Sequence, residues 1–163
     1  MNEALAAALA KLEIRYEYFT HPPVFTTADI VLLADKLPGA DTKNLFLRDE
    51  KRTRYLLVCV RANTRVDLKE LGRRLAIKGI TFASAEEMQV MLRVAPGSVC
   101  LFSLMSDIDG RVEGFIDASI DVSELVQNHP LVNTATVVLA LCEMLRFCES
   151  VKHPLQRIDI PTR

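Results

Sequence analysis

Residues 44–61 read NLFLRDEKRTRYLLVCVR, which is two apolar runs separated by a charged turn. Residues 44–48 and 55–61 are rich in the aliphatic and aromatic side chains of buried strands. Residues 49–52, DEKR, join the two runs and are entirely hydrophilic. The sequence therefore predicts a β-hairpin here.

Apolar residues recur with helical spacing outside the hairpin. Leu5, Ala8, Leu9 and Leu12 follow the i, i+3, i+4, i+7 pattern of an amphipathic helix. The same spacing predicts four more helices, around residues 30–37, 68–75, 88–92 and 141–148. Asp67 is the predicted N-cap of the second of these, and Ser84 and Glu87 have the spacing of a capping box at the start of the third.

Further short apolar runs are strand candidates. They are residues 16–20, 80–83, 99–104, 112–116 and 134–139, with a turn signal, DIDG, at residues 107–110. Some strands would be joined by hairpins and others by helical crossovers. The predicted fold class is therefore α/β with a mixed sheet.

The bulk composition predicts one globular domain over residues 1–163. Half of the residues are hydrophobic and the formal net charge is −1. A protein that coats nucleic acid through nonspecific phosphate contacts is normally basic, so an RNA substrate would require a local basic patch and a small footprint. The net charge neither proves nor excludes such a substrate. The basic residues of the hairpin turn are interpreted as a solvated tip, or as contacts to nucleic-acid phosphates if they lie beside a pocket. They are Arg48, Lys51, Arg52 and Arg54.

No cofactor or metal is expected. The four cysteines form no CxxC pair, and no metal-binding, P-loop or dinucleotide motif is present. Cys100 has no basic neighbour in the sequence and is not expected to act as a nucleophile. His153 is interpreted as having no role in the site.

Membrane contact is not expected, because no apolar run approaches the roughly 18 residues that span a bilayer. The start of the chain lacks signal-peptide features, which favours a cytoplasmic location.

Four segments together resemble the YbaK/prolyl-tRNA editing family. They are KNLFL at residues 43–47, HPLVNTAT at 129–136, HPPVFT at 21–26 and PGSV at 96–99. The resemblance covers about residues 14 to 150 and is closest to the free-standing deacylases that remove alanine from mischarged proline tRNA. It implies a twisted, partly closed sheet surrounded by helices, and a catalytic site without a bound cofactor.

The resemblance assigns catalytic roles to Lys43, Asn44 and His129. Spacing alone favours a solvated lysine at the start of a strand, but the family motif makes Lys43 the main functional residue, with Asn44 lining the site. His129 is suited to positioning a water molecule or exchanging a proton. From spacing alone, residues 129–130 could equally form a simple turn into the next strand, with Asn133 capping it.

Substrate-binding roles are also implied. Gly97 and Ser98 would cradle the substrate with their backbone N–H groups, and Asn133 would hold a ribose hydroxyl or the amino group. Phe25, Ile30 and Leu33 would form an apolar floor that senses amino-acid size, although such a stripe is more often core.

The chain departs from its relatives at two places. Asn128 stands where relatives commonly carry an apolar or aromatic residue, and Cys100-Leu101 replaces the usual threonine and proline. These changes are expected to alter the pocket wall and loosen the loop, without removing the motifs.

The predicted function is hydrolysis of the ester that joins alanine to the terminal adenosine of proline tRNA. The expected partner is the aminoacylated 3′ end of a tRNA, with prolyl-tRNA synthetase as a candidate second partner. Three alternatives remain open. One is deacylation of a tRNA misacylated with cysteine, serine or threonine, and another is a noncatalytic module that binds aminoacyl-tRNA or a synthetase. The third, a small-molecule amidase or esterase, ranks last because the sequence shows no nucleophile for it.

Overall fold

The structure is a computed structural model that describes residues 1–24 and 26–163, with the backbone alone at Thr27. Its α-helices are α1 (Glu3–Lys11), α2 (Thr27–Ala34), α3 (Leu68–Arg74), α4 (Ala85–Leu92) and α5 (Leu141–Ser150), and Leu101–Ser106 forms a 3₁₀ helix. Its strands are β1 (Glu17–Thr20), β2 (Thr42–Arg48), β3 (Tyr55–Arg61), β4 (Thr81–Phe82), β5 (Val112–Asp117), β6 (Leu125–Asn128), β7 (Ala135–Ala140) and β8 (Gln156–Ile158).

The larger sheet is built on the predicted hairpin. β2 and β3 are antiparallel, with Thr42 opposite Arg61 and Arg48 opposite Tyr55. The strand order is β4-β2-β3-β5-β8, in which β3 and β5 are parallel, and so are β5 and β8. The sheet is therefore mixed, and the predicted α/β fold class is confirmed.

Both faces of this sheet are buried, which explains why residues 55–60 form a continuous apolar run. Along β3, Leu57 and Cys59 face one hydrophobic cluster, which includes α1, α5 and the 3₁₀ helix. Leu56 and Val58 face the other cluster, which includes residues of α3.

A second, smaller sheet has the order β1-β7-β6 and is antiparallel throughout. It meets the larger sheet at Ala40, just before β2. The Ala40 N–H donates to the Leu125 carbonyl at 2.8 Å, and the Gln127 N–H donates to the Ala40 carbonyl at 2.9 Å. We call this contact, a parallel bridge between Ala40 and Val126, the sheet junction.

Glycine is required at the sheet junction. Gly39 has a φ of +84°, and a Cβ at this position would lie 2.7 Å from the Leu125 carbonyl oxygen. Only glycine adopts this conformation without strain and also lets the two backbones approach so closely. The Thr42 hydroxyl, which donates to the Gln127 carbonyl at 2.9 Å, extends the contact by one more hydrogen bond.

Most predicted elements are confirmed. All five helices are present, with Asp67 as the N-cap of α3 and a Ser84–Glu87 capping box on α4. The strand predictions at 16–20, 80–83, 112–116 and 134–139 correspond to β1, β4, β5 and β7. No helix in the described part of the chain is long and apolar enough to cross a bilayer.

The strand predicted over residues 99–104 is wrong, because this segment contains the 3₁₀ helix. The Cys100 N–H donates to the Ser103 hydroxyl at 3.1 Å, and the Ser103 N–H donates back to the Cys100 carbonyl at 2.9 Å. These local bonds replace those of a sheet ladder. β6 and β8 were not predicted, since both are short and carry polar residues in place of an apolar run.

His153 has a structural role that the sequence did not predict. His153 Nε2 lies 2.9 Å from Asp107 Oδ2, and both side chains are buried. The same carboxylate oxygen accepts the Val112 N–H at 2.7 Å, and Arg111 lies 3.6 Å from the other oxygen. This pair attaches the segment after α5 to the start of β5.

We expect Asp107→Ala to lower the free energy of unfolding by about 3–5 kcal/mol, because it leaves His153 and the Val112 N–H buried without their partner. Asp109→Ala, an exposed carboxylate in the same turn, should change it by less than about 0.5 kcal/mol. Urea denaturation of both variants measures the difference. Equal stabilities of the two variants would contradict the role given to the buried pair.

Candidate active site

Among the described residues, one edge of β2 is paired with another strand only near the end of β2. β4 pairs only with Leu47 and Arg48, at the far end of the strand. The Ala83 N–H donates to the Phe46 carbonyl at 2.9 Å, so the main chain of Phe46 faces this edge. Because strand hydrogen bonding alternates with a period of two, the main-chain N–H and C=O of Asn44 face the same edge.

A cleft of about 770 Å³ lies at this open edge. Its polar lining comes from β2 and the residue before it, from the end of β3 and the loop after it, and from the residue after β6: Asp41, Thr42, Lys43, Asn44, Arg61, Asn63 and His129. Ile30 and Val31 of α2 lie on one side, and Phe82, Met88, Gly97 and Val99 also contribute to the lining. The cleft thus brings together residues that are far apart in the sequence, from Ile30 to His129.

A smaller cavity, which we call the recess, adjoins the cleft and shares five lining residues with it: Ile30, Asp41, Thr42, Asn44 and His129. Its volume is about 30 Å³. The residues that line the recess alone are Val24, Leu33, Ala34, Gln127, Asn128 and Thr136. A volume of this size admits one small chemical group.

The structure brings most of the predicted site residues to these two cavities. Lys43, Asn44, Gly97 and His129 line the cleft, while Ile30 lines both cavities and Leu33 the recess. Phe25 lies outside the described residues. Ser98 and Asn133 are half-buried and are not among the described residues that line either cavity, so their predicted substrate contacts stay predictions.

Lys43 is the cation of the cleft that has no ion-pair partner among the described residues. Arg61, the other cation of the cleft, is held by Glu124 through two bonds of 2.6 and 2.8 Å. Lys43 is half-buried at the start of β2. A ligand in the cleft would therefore displace no internal ion pair in order to bind the Lys43 ammonium.

The hydrogen bonding of His129 determines which ring nitrogen is available. Its Nδ1 lies 3.4 Å from the carbonyl oxygen of Ala135. A carbonyl can only accept, so Nδ1 carries the proton in this contact. In the neutral ring, Nε2 then keeps its lone pair and can accept a proton or a hydrogen bond from a water molecule.

His21 belongs to a family motif and supports the site indirectly, through its contact with Thr136. Its Nδ1 donates to the Pro22 carbonyl at 2.9 Å, which leaves Nε2 to accept from the Thr136 hydroxyl at 3.0 Å. The His21 N–H also donates to the Thr134 carbonyl at 2.9 Å. His21 therefore fixes Thr136, a residue of the recess wall, and the start of the 21–26 segment.

Asp41 is a site residue that the sequence reasoning missed. It lines both cavities and is half-buried. Burial raises the pKa of its carboxyl group, while the charge of nearby His129 opposes this effect. Asp41 lies in the turn before β2, and nothing in its local sequence distinguishes it from an ordinary turn aspartate.

Two buried amides at the recess lack hydrogen-bond partners among the described residues. They are Asn44, through Oδ1, and Asn128, through both Oδ1 and Nδ2. Leaving such a group unpaired costs about 1–3 kcal/mol. The sequence singled out Asn128 as a departure from the family, but gave no reason to expect an unsatisfied amide.

The cysteines and the basic turn do not contribute free reactive groups to the site. Burial raises the pKa of the Cys100 thiol and raises that of Cys59 to about 12. These buried thiols are unsuited to nucleophilic attack. In the hairpin turn, Arg48 and Arg52 lie near Glu87, and Arg54 forms two bonds with Glu113, so these three cations are paired within the chain. None of them is among the described residues that line the cleft.

Comparisons with known proteins agree with this architecture. The family model of the aminoacyl-tRNA editing domain matches residues 21–147. A mouse protein, prolyl-tRNA synthetase associated domain-containing protein 1, is 35% identical over 157 residues, which cover 94% of this chain and 92% of the mouse protein. Prolyl-tRNA editing protein ProX of Acetoanaerobium sticklandii is 29% identical over 159 residues, 98% of this chain and 97% of ProX.

Solved structures share the fold. One, described as a candidate trans-editing enzyme for prolyl-tRNA synthetase, has a TM-score of 0.71 at 17% identity and covers 100% of this chain and 99% of its own. Because the family model matches well over half of the sequence, the chain belongs to the aminoacyl-tRNA editing domain family, as its motifs indicated.

Proposed function

We propose that this protein hydrolyses the ester of a misacylated tRNA, with alanine on proline tRNA as its first substrate. The observation that carries the proposal is the convergence of Lys43 and His129, which are far apart in the sequence, on one cleft beside a small recess. Relatives named for prolyl-tRNA editing and for association with prolyl-tRNA synthetase support the same substrate class.

The cleft supplies the groups that ester hydrolysis needs. His129 Nε2 accepts a proton from a water molecule as the water oxygen bonds to the ester carbonyl carbon. The Lys43 ammonium and the Asn44 N–H at the open edge of β2 stabilise the negative charge that develops on the carbonyl oxygen. The intermediate then collapses, the bond to the ribose oxygen breaks, and the imidazolium returns its proton to that oxygen.

The recess acts as a size filter in this proposal. Its volume of about 30 Å³ suits a methyl group, and we expect the larger ring of proline, which carries three methylenes, to be excluded. Steric exclusion of the larger residue is more selective than preference for the smaller one, since one methylene contributes only about 1–3 kcal/mol to binding. Ile30 and Leu33 provide the apolar walls.

A second candidate is a noncatalytic module that binds aminoacyl-tRNA or a synthetase. The names of the animal relatives, which refer to association with prolyl-tRNA synthetase, favour it. A panel of tRNAs charged with alanine, serine, threonine, cysteine or proline distinguishes the candidates. Release of alanine with Pro-tRNA(Pro) left intact supports the deacylase, whereas tight binding without turnover of any substrate supports the module.

Lys43→Ala should lower kcat/KM for Ala-tRNA(Pro) about 100-fold or more, because it removes charge stabilisation from the oxyanion. Lys43→Arg should retain part of the activity. Lys36→Ala removes an exposed lysine just after α2 that does not line the cleft, and should leave the rate unchanged. If Lys43→Ala is as fast as the wild type, Lys43 does not have the assigned role.

Phe82 provides a surface for the terminal adenine. It lies on the edge strand β4, lines the cleft, and is 55% exposed despite its size. Aromatic side chains beside a cationic groove stack nucleobases, and a stacked base contributes about 1–3 kcal/mol. With Lys43 on the same cleft, we assign Phe82 to the base of the terminal adenosine.

Phe82→Ala should raise KM for aminoacyl-tRNA about 5- to 100-fold and leave kcat within a few-fold, since stacking binds the ground state and the transition state equally. Phe82→Tyr should behave as the wild type. Val90→Ala truncates an equally exposed apolar residue of α4 outside the cleft lining and serves as the control. A fall in kcat with unchanged KM would exclude the stacking role.

Asp41→Asn should raise the stability of the protein at pH 7 and lower its activity. A carboxyl group with a raised pKa stabilises the fold only when protonated, and this contribution is lost as the pH rises through its folded-state pKa. The variant should therefore be more stable than the wild type at pH 7, and the gain should vanish near or below the ordinary value of 3.8. Activity should fall about 10-fold, because the imidazolium of His129 loses its nearby carboxylate.

Urea denaturation between pH 3.5 and 7 measures this effect, with the exposed Asp109→Asn as the control. A stability gain that persists unchanged at the acidic end would show that charge burial at Asp41 is not its cause.

A further inference from the structure

Asn128 is a buried amide whose hydrogen-bonding capacity is unused within the described chain. It is the last residue of β6 and is 4% exposed. Both its carbonyl oxygen and its amide nitrogen are inaccessible and lack a partner among the described residues. Because a buried amide is costly when unpaired, its partner is expected to come from a bound molecule.

The neighbouring residue, Gln127, carries an amide that has a structural role. Gln127 is also buried, but its Nε2 donates to the carbonyls of Ala34 and Gly39 at 3.1 Å, and it lies 3.3 Å from those of Leu37 and Pro38. Gln127 thereby holds the segment after α2. Asn128 makes no comparable contact and instead lines the recess.

The recess combines apolar walls with unpaired polar atoms. Val24, Ile30, Leu33 and Ala34 provide the apolar part. Asn128, which has an unpaired donor and an unpaired acceptor, and Asn44, which has an unpaired acceptor, both line it, and a small shift of these side chains would present those atoms to a ligand. This arrangement suits a group that is small, attached through carbon, and able to donate and accept at once.

A hydroxymethyl group meets these requirements. Its hydroxyl accepts from Nδ2 and donates to an Oδ1 atom, whereas a methyl group pairs with neither. An ammonium group donates only and would leave Nδ2 unpaired.

We propose that Asn128 is a specificity-determining residue that extends the substrate range of the recess from alanyl to seryl esters. This inference rests on the deacylase function proposed above. Threonyl esters should be poorer than seryl esters, because their additional methyl group exceeds the small volume of the recess.

The test measures single-turnover deacylation of Ser-tRNA(Pro) and Ala-tRNA(Pro) by the wild type and by Asn128→Leu, which has a similar volume and no amide. The seryl rate should fall about 10- to 100-fold in the variant, while the alanyl rate should stay the same or rise. The alanyl ester is the internal control. Asn128→Val, which is smaller, replaces the leucine variant if that variant does not fold.

Unfolding by urea provides the readout that separates specificity from structure. If Asn128 serves the ligand, removal of its unpaired amide should leave the stability of the free protein unchanged or higher. A loss of stability together with equal loss of both activities would show a structural role and overturn the inference. Equal retention of both activities, or a wild type that hydrolyses alanyl but not seryl esters, would also overturn it.

If the proposed deacylase function is wrong, the experiment gives a result that differs from those above. A wild type that hydrolyses neither ester contradicts the deacylase proposal alone. In that case, binding of 3′-seryl-amino and 3′-alanyl-amino adenosine analogues tests Asn128 directly. A seryl preference that Asn128→Leu abolishes supports the inference, and equal binding of both analogues overturns it.

Discussion

The sheet junction is the contact on which the site depends. Two backbone hydrogen bonds at Ala40 and the hydroxyl of Thr42 hold the start of β2 against β6. This attachment places residues 41–44 beside residues 128–129, so that one cleft receives side chains from both sheets. Gly39 makes it possible, because any side chain there would collide with the carbonyl of Leu125.

Several features near the junction lower stability, as expected where binding groups are held ready for a ligand. Asn128 and Asn44 bury amide atoms without partners among the described residues, and Asp41 buries a carboxyl group whose pKa is raised. Leu131, two residues after His129, has a φ of +64°, which costs a non-glycine residue about 1–2 kcal/mol. The two-sided core of the larger sheet offsets these costs.

Local sequence patterns predicted the helices and strands well where the pattern was unambiguous. The strand predicted over residues 55–61, which begins with the continuous apolar run 55–60, matches β3 at both ends, and the Ser84–Glu87 spacing predicted the start of α4. The prediction failed at 99–104, because the Ser103 side chain bonds locally to Cys100 and favours a 3₁₀ helix. β6 was missed because Gln127 and Asn128 interrupt its apolar pattern.

The site was predictable only in part. Lys43, Asn44 and His129 were identified through motifs, and their common location depends on the sheet junction, which no local pattern indicates. Asp41 and Phe82 were missed because their importance arises from contacts between distant segments. Asn128 was recognised as unusual, but its unpaired amide is visible only once β6 lies against the recess.

The most direct test of this account is a crystal structure of the protein with 3′-alanyl-amino-3′-deoxyadenosine, an amide analogue that resists hydrolysis. The account predicts the alanyl methyl group in the recess beside Leu33 and Asn128, the carbonyl oxygen near Lys43 and the Asn44 N–H, and the adenine on Phe82. An analogue bound away from the open edge of β2, or with its methyl group pointing out of the recess, would contradict it.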